Sequence, residues 1–336
     1  MKIAIFGAGG IAQRVYLPLL TSWPGVEITG VFSRTQKNVD KTCRDWRLSF
    51  GTTNFNQLLE TRPEAALVIT NNATHFPFVN QLLKAGVDVL VEKPMAYSST
   101  EVRQLADLAD TQNRILMVSF NRRYAILYQQ AKELFQNRKI QMAVFEKHRN
   151  TVSHVSLYNN YVDDTIHQID LLRHFCGEVT PSYTQTQMQD GQLIGAVSQA
   201  ATSEGGLVVL MTSLKAGSWQ EKVALHGDNI TVEVEAFRQL IIKKLDSEEI
   251  FGNDRPGRWI TELKERGFYG MIEHFLDCVK TRQQPLTSGR DAQKTHELID
   301  ALVIASGETP GKESENWDNV SRWSNKKTPY FSSLTQ

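Results

Sequence analysis

The sequence predicts an α/β protein in two parts: a doubly wound parallel sheet, then an α+β domain on an open, mainly antiparallel sheet. Compact apolar runs alternate with helical patterns as far as residue 120. After Asn121 the pattern changes, and strand-like runs follow one another with turn signals between them. The 336 residues also exceed what one hydrophobic core commonly serves, so two domains are expected, at 1–121 and 122–336.

The strand runs of the first part are Lys2–Phe6, Glu27–Phe32, Ala65–Thr70, Asp88–Val91 and Ile115–Ser119. Each is a block of apolar residues rather than an alternating run, as required where helices cover both faces of a parallel sheet. Helical stretches lie between them at Ile11–Leu20, Val39–Trp46, Phe76–Ala85 and Ser98–Asp110, the last opening with Ser98, Ser99 and Glu101 as an N-cap signal. Strand–helix alternation of this kind winds a sheet in both directions.

In the second part a helix is expected at Tyr124–Phe135, a strand at Ile140–Lys147 and a helix at Asp164–Phe175. From Pro181 to Lys244 the strand-like runs include Gly206–Ser213, Glu221–His226, Ile230–Val234 and Leu240–Lys243. Asp190-Gly191, Glu204-Gly205-Gly206 and Gly227-Asp228-Asn229 punctuate them, the signature of an antiparallel sheet. Helices at Tyr269–Arg282 and Asp291–Ser306 are expected to close this domain. The polar tail from Gly307, carrying Trp317, Trp323, Tyr330 and Phe331, is expected to lie against the body.

Composition excludes several functions. Lys plus Arg and Asp plus Glu each number 37, so nothing in the balance argues for nucleic acid or an anionic membrane. Cys43, Cys176 and Cys278 lie far apart without CxxC spacing, which excludes a thiolate zinc site and a disulfide framework and fits a reducing compartment. No apolar stretch reaches the roughly 20 residues of a membrane span. Lys2 and the run to Phe6 imitate a secretion signal, but Gly7, Gly9 and Gly10 cut the run short. A cytoplasmic protein is expected.

Gly7-Ala8-Gly9-Gly10-Ile11-Ala12 reads G-x-G-x-x-A between a strand and a helix. In that context Gly7 permits a tight turn, Gly9 lets the backbone approach a pyrophosphate, and Ala12 keeps helix and strand close. Gly10 and Ile11 belong to the same cradle, where the helix N-terminus offers N–H groups and partial positive charge. An Asp or Glu at the end of the second strand would take the ribose hydroxyls of NAD. Ser33-Arg34 stands there instead, and the Arg34 guanidinium, with Lys37, can pair with a 2′-phosphate. NADP(H) is favoured over NAD(H).

Glu92-Lys93-Pro94 follows the fourth strand run at the carboxyl edge of the sheet, where open α/β folds bind ligands. With the glycine loop, this tripeptide resembles the Gfo/Idh/MocA oxidoreductase family. So do Asn72 and His75 in Thr70-Asn71-Asn72-Ala73-Thr74-His75, Asn121-Arg122-Arg123-Tyr124 between the domains, and the Asp163-to-Asp170 segment, similar to D-x-G-x-H-x-x-D. The likeness runs to about residue 307. It implies a Rossmann domain and hydride exchange between nicotinamide and a carbinol or carbonyl carbon of a sugar- or cyclitol-like substrate. It also places Asn72, His75 and Glu92 on the cofactor side and makes Lys93, Asp163 and His167 the catalytic group.

Residue chemistry agrees with that assignment. Asp163 and His167 are four apart and share a helix face. A lysine before proline has a restricted backbone that fixes where its side chain leaves, and beside a nicotinamide it can shuttle a proton. An unperturbed imidazole titrates near neutrality, which favours His167 as the principal acid/base, although the sequence alone does not separate its role from that of Lys93. The sequence departs from the family at Asn71, at Asn159-Asn160-Tyr161 and at Asp164-Thr165, which predicts a more polar pocket. Asp163, His167 and Asp170 as metal ligands lack a further cluster to complete a site, so no metal is expected. The competing reading is a dinucleotide-sensing regulator without chemistry, which has no need of a proton relay. Pairing of two copies through the second sheet is expected.

Overall fold

The computed structural model describes residues 1–252 and 260–311. The tail aromatics Trp317, Trp323, Tyr330 and Phe331 lie outside the described residues.

The chain opens with β1 (Lys2–Phe6), a π-helical turn at Ala12–Tyr16 running into α1 (Leu17–Leu20), β2 (Glu27–Phe32), and α2 (Gln36–Trp46). A two-residue β3 (Gly51–Thr52) and α3 (Phe55–Leu59) come next. Then follow β4 (Ala65–Val68), α4 (His75–Lys84), β5 (Asp88–Val91), α5 (Ser99–Thr111) and β6 (Leu116–Val118). The six strands are parallel in the order β3-β2-β1-β4-β5-β6. The order reverses between β1 and β4, so their carboxyl ends open a crevice at the switch point. Both faces are covered: Ile3 and Ile5 enter one apolar cluster, Ala4 and Phe6 the other. That is the cause of the unbroken apolar runs. The expected N-cap of α5 is Ser98, in a full capping box with Glu101.

A 3₁₀ turn at Asn121–Tyr124 leads to α6 (Ile126–Leu134) and β7 (Met142–His148). Then come α7 (Leu157–Asn160), a π-helical turn at Tyr161–Thr165, and α8 (Ile166–Cys176). The strands β8 (Val179–Gln189), β9 (Gln192–Thr202), β10 (Leu207–Ser213), β11 (Gln220–Gly227), β12 (Ile230–Glu235), β13 (Gln239–Lys244) and β14 (Ser247–Gly252) follow. They join β7 in the order β14-β13-β12-β11-β7-β10-β9-β8. Neighbours are antiparallel except β7 and β10, which run parallel because β7, arriving from before the helices, inserts between β10 and β11.

The last helices are α9 (Glu262–Glu265), α10 (Phe268–Thr281) and α11 (Gly289–Ile304). The expectation that the two long ones close the second domain needs correcting for α10. Its Met271, Ile272, Phe275 and Leu276 pack with Ile3, Ile5 and Tyr16 on the first sheet. α11 packs against both α5 and α8.

Burial above all lowers the pKa of four histidines, His75, His167, His174 and His296, the last two to about 3. Below about pH 6.5 the unfolded chain binds protons that these folded rings refuse, so stability should fall as pH drops toward about 3, by about 1.4 kcal/mol per pH unit and ring. The urea midpoint should therefore be clearly lower at about pH 5.5 than at about pH 7.5; an unchanged midpoint contradicts neutral burial.

Candidate functional site

The glycine loop leaves β1 at the switch point. Gly7 has φ +126°, and a Cβ there would stand 2.4 Å from the Ile69 carbonyl oxygen, so only glycine fits. Beside Gly9 a Cβ would meet nothing within 4 Å, leaving its backbone open to a ligand. Ala12 is fully buried at the helix start. The first-turn N–H groups, from Gly10 and Ile11 onward, have no helical carbonyl behind them. This cradle fits a dinucleotide pyrophosphate. At the end of β2, Ser33 is buried, its N–H donating to Thr52 O at 3.2 Å. Arg34 and Lys37 are exposed, and neither forms an ion pair among the described residues.

Two loops meet beside this cradle. In the first, Thr74 Oγ1 bonds Thr70 Oγ1 at 2.7 Å and donates to Asn71 O at 2.9 Å, folding the 70–75 segment. In the second, Lys93-Pro94 is a cis peptide. His75 joins the loops: its Nδ1 lies 2.7 Å from Pro94 O and its Nε2 3.2 Å from Thr70 O. With no exposed surface, His75 is a brace beneath the cofactor side rather than a contact surface. Glu92 Oε1 accepts from Tyr16 OH at 2.5 Å and Ser119 Oγ at 3.1 Å, so its carboxylate is anchored from both sides of the switch point.

The second domain delivers its side chains onto these loops. Lys93 Nζ donates to the main-chain oxygen of Asp163 at 2.5 Å. Asp163 Oδ1 accepts from Asn72 Nδ2 at 3.1 Å, and Oδ2 lies 3.3 Å from His154 Nε2. Burial works to raise the Asp163 carboxyl pKa, but the His154 hydrogen bond and the Lys93 charge outweigh it and hold it below the usual value. Asp163 sits in the π-helical turn, a form that recurs at functional sites.

His167, on the first turn of α8, is 7% exposed and its Nδ1 has no partner among the described residues. Burial, and then the charges of Arg122, Lys93, Lys147 and Arg149, hold its pKa well below 6.5. The imidazole is neutral at neutral pH. This corrects the expectation of a ring poised at neutrality, because the sequence does not display the four cations around it.

Three of those cations, Arg122, Lys147 and Arg149, belong to one network with Glu221 and Asp164. Lys147 contacts Glu221 and lies 3.7 Å from Asp164. Arg122 grips Glu221 at 2.7 and 3.1 Å, and Arg149 grips Asp164 with Nε at 2.9 Å and with Nη2. Despite full burial, Arg122 and Lys147 lower the Glu221 pKa to about 2.

Asp170 is turned away from this group. Arg123 holds it at 2.6 and 2.8 Å, and no cluster of His, Cys, Asp or Glu that could hold a metal occurs among the described residues. The polar departures are partnered internally: Thr165 Oγ1 donates to Asn160 Oδ1 at 2.8 Å, and Asp164 is held by Arg149. Their polarity serves the protein's own network before any ligand.

Sequence reasoning missed Lys147, Glu221 and His154. The first two had a signal: Lys147 shares strand parity with buried Ala143 and Phe145, and Glu221 with buried Val223 and Leu225. A charge at an inward position needs a partner, and register pairs these two. His154 lies in a loop without a period, so nothing singled it out.

A family model described as an oxidoreductase family with an NAD-binding Rossmann fold matches residues 1–120. YceM of Salmonella typhimurium is 30% identical over 314 residues, covering 90% of this chain and 97% of its own. Inositol 2-dehydrogenase of Rubrobacter xylanophilus is 24% identical over 256 residues, covering 73% of this chain and 74% of its own. The crystal structure of the dehydrogenase MviM from Clostridium difficile matches with a TM-score of 0.84 at 26% identity, covering 91% of this chain and 99% of that one. None of the helices described is long and apolar enough to cross a membrane. Glycine loop, sheet order and these relatives together make the chain a member of the Gfo/Idh/MocA family of NAD(P)-binding oxidoreductases.

Proposed function

We propose that this protein is a dehydrogenase or reductase of a sugar- or cyclitol-like substrate, using NADP(H) in preference to NAD(H). The observation that carries the reading is Lys93 Nζ bonded to the Asp163 backbone at 2.5 Å across the switch-point loops, with the Lys93 charge also felt by His167. When bound, the nicotinamide supplies or accepts the hydride. The protein's task is the proton and the alignment. Lys93 donates a hydrogen bond to the reacting oxygen and stabilises its negative charge. His167, held neutral, takes the hydroxyl proton in the oxidising direction. Asp163 orients the substrate hydroxyls through lone pairs not used by Asn72 and His154.

Relatives such as the Rubrobacter inositol dehydrogenase supply the substrate class. The test is turnover of glucose, myo-inositol and glucose 6-phosphate with either cofactor, followed by absorbance of the reduced nicotinamide. Failure of every polyol and sugar in such a panel would sink the reading. Two copies are proposed to pair through the outer face of the second sheet, where Met142, Tyr183, Val197 and Leu207 are exposed.

Cofactor choice rests on Ser33 and Arg34. NADPH should bind more tightly than NADH, and Arg34→Ala should remove most of the difference, about 1.5–3 kcal/mol for one charge-assisted contact. Calorimetry giving equal affinities in the unmutated protein would contradict this.

A further inference from the structure

We infer that His154 is a positioning residue for the reaction, fixing the Asp163 carboxylate from the side opposite Asn72. The inference rests on the assignment of Lys93, Asp163 and His167 made above.

His154 lies between β7 and α7 and is only 2% exposed. Its carbonyl accepts from Leu193 N–H at 3.1 Å, which ties this part of the loop to β9. The ring's tautomer follows from its neighbours. Thr165 Oγ1 donates to Asn160 Oδ1 at 2.8 Å, so the carboxamide oxygen of Asn160 is taken. Its Nδ2 faces His154 Nδ1 at 3.4 Å, and Ser153 Oγ stands 3.0 Å from the same nitrogen. An NH₂ group only donates, so Nδ1 accepts and the ring proton sits on Nε2. That proton points at Asp163 Oδ2, 3.3 Å away.

Asp163 is therefore clamped by two donors from two domains: Asn72 of the first on Oδ1, His154 of the second on Oδ2. Each oxygen keeps a lone pair, and the plane of the carboxylate is set. Without His154 the carboxylate pivots about the Asn72 bond and is free to swing toward the Lys93 ammonium. Lys93 is then drawn off the line it needs to reach the substrate oxygen. A displacement of this kind, of order 1 Å, is enough to cost about 10²-fold in rate. The chain from Thr165 through Asn160 to His154 also gives the polar residues at two of the family departures a purpose, since apolar or glycine residues there could not set the tautomer.

The experiment compares His154→Ala, His154→Gln and Asp163→Ala singly, and His154→Ala combined with Asp163→Ala, on the panel compound that turns over fastest. His154→Ala should lower kcat about 10²-fold with NADPH affinity by calorimetry unchanged. His154→Gln, whose amide can donate near the Nε2 position, should recover most of that loss. In the Asp163→Ala background His154→Ala should have little further effect, because its influence passes through that carboxylate. Native kcat in His154→Ala, no recovery in His154→Gln, or full additivity in the double variant each overturns the inference. Lys93→Ala run alongside separates the two levels. Full turnover there overturns the site assignment and this inference with it, whereas lost turnover there beside native His154→Ala overturns the inference alone.

Discussion

Alanine at Lys93 or at His167 should lower kcat by about 10²–10⁴ while cofactor affinity stays close to native. A carbinol that loses hydride must also lose a proton, and its alkoxide is too basic to exist free near neutral pH. In the proposed reaction Lys93, delivered to the switch point by the turn after β5, is the donor to that oxygen. His167, whose Nδ1 has no partner among the described residues, is the proposed base. The two substitutions should differ in their pH profiles. His167 is held below 6.5, so the neutral base is present above that pH and is lost as pH falls through its lowered value. The oxidising rate should thus carry an acid limb that begins below pH 6.5 and disappears in His167→Gln. Near-native turnover in either alanine variant would make that residue structural.

The second large effect is on stability. Asp170→Ala should destabilise the protein by about 3–5 kcal/mol in urea unfolding, and Arg123→Ala by a similar amount. Arg123 holds Asp170 by two hydrogen bonds of 2.6 and 2.8 Å and reaches Asp291 at 2.8 Å. With side-chain exposures of 4% and 1% for Arg123 and Asp170, Asp170 without Arg123 is a carboxylate out of water that has lost its guanidinium, and Arg123 without Asp170 is left with the Asp291 contact alone. Replacing both together, Arg123→Met with Asp170→Leu, should cost much less, because it removes both desolvated charges. A cost below about 1 kcal/mol for Asp170→Ala would contradict this and show that Asp291, with any entering water, satisfies the guanidinium.

The first sheet was legible because its strands are buried on both faces and stand out as apolar blocks between glycines and helix caps. β3 was not, since Gly51 and Thr52 offer two residues and no run. α3 escaped for a similar reason, being one short turn started by Asn54. In the second sheet the hairpin turns were readable and the parallel β7–β10 pair was not: parallel pairing there depends on where a distant strand inserts, which no local pattern carries. At the proposed site, Lys93, Asp163 and His167 were singled out through motif resemblance. The neutrality of His167 depends first on its burial and then on cations contributed by the segment between the domains, the turn after β5, β7 and the residue after it. Its protonation was therefore a tertiary property. α10 was correctly read as a helix, but its apolar stripe does not say which sheet it will cover.

That placement of α10 bears on how the two domains can move. The chain passes between them once at Asn121–Ala125 and returns just before α10, and these passages touch: Asn121 Nδ2 donates to Arg266 O at 2.8 Å. A Cβ on Gly267 would strike Asn121 O at 2.2 Å. Two adjacent passages alone would make a hinge. α11, however, packs on α5 of one domain and α8 of the other, and it acts as a splint across that hinge. Swinging the domains apart would shear its apolar face off one partner, so its packing opposes wide opening. Trimming the apolar face that α11 lays on α5 and α8 would be the way to turn the splinted joint back into a moving one.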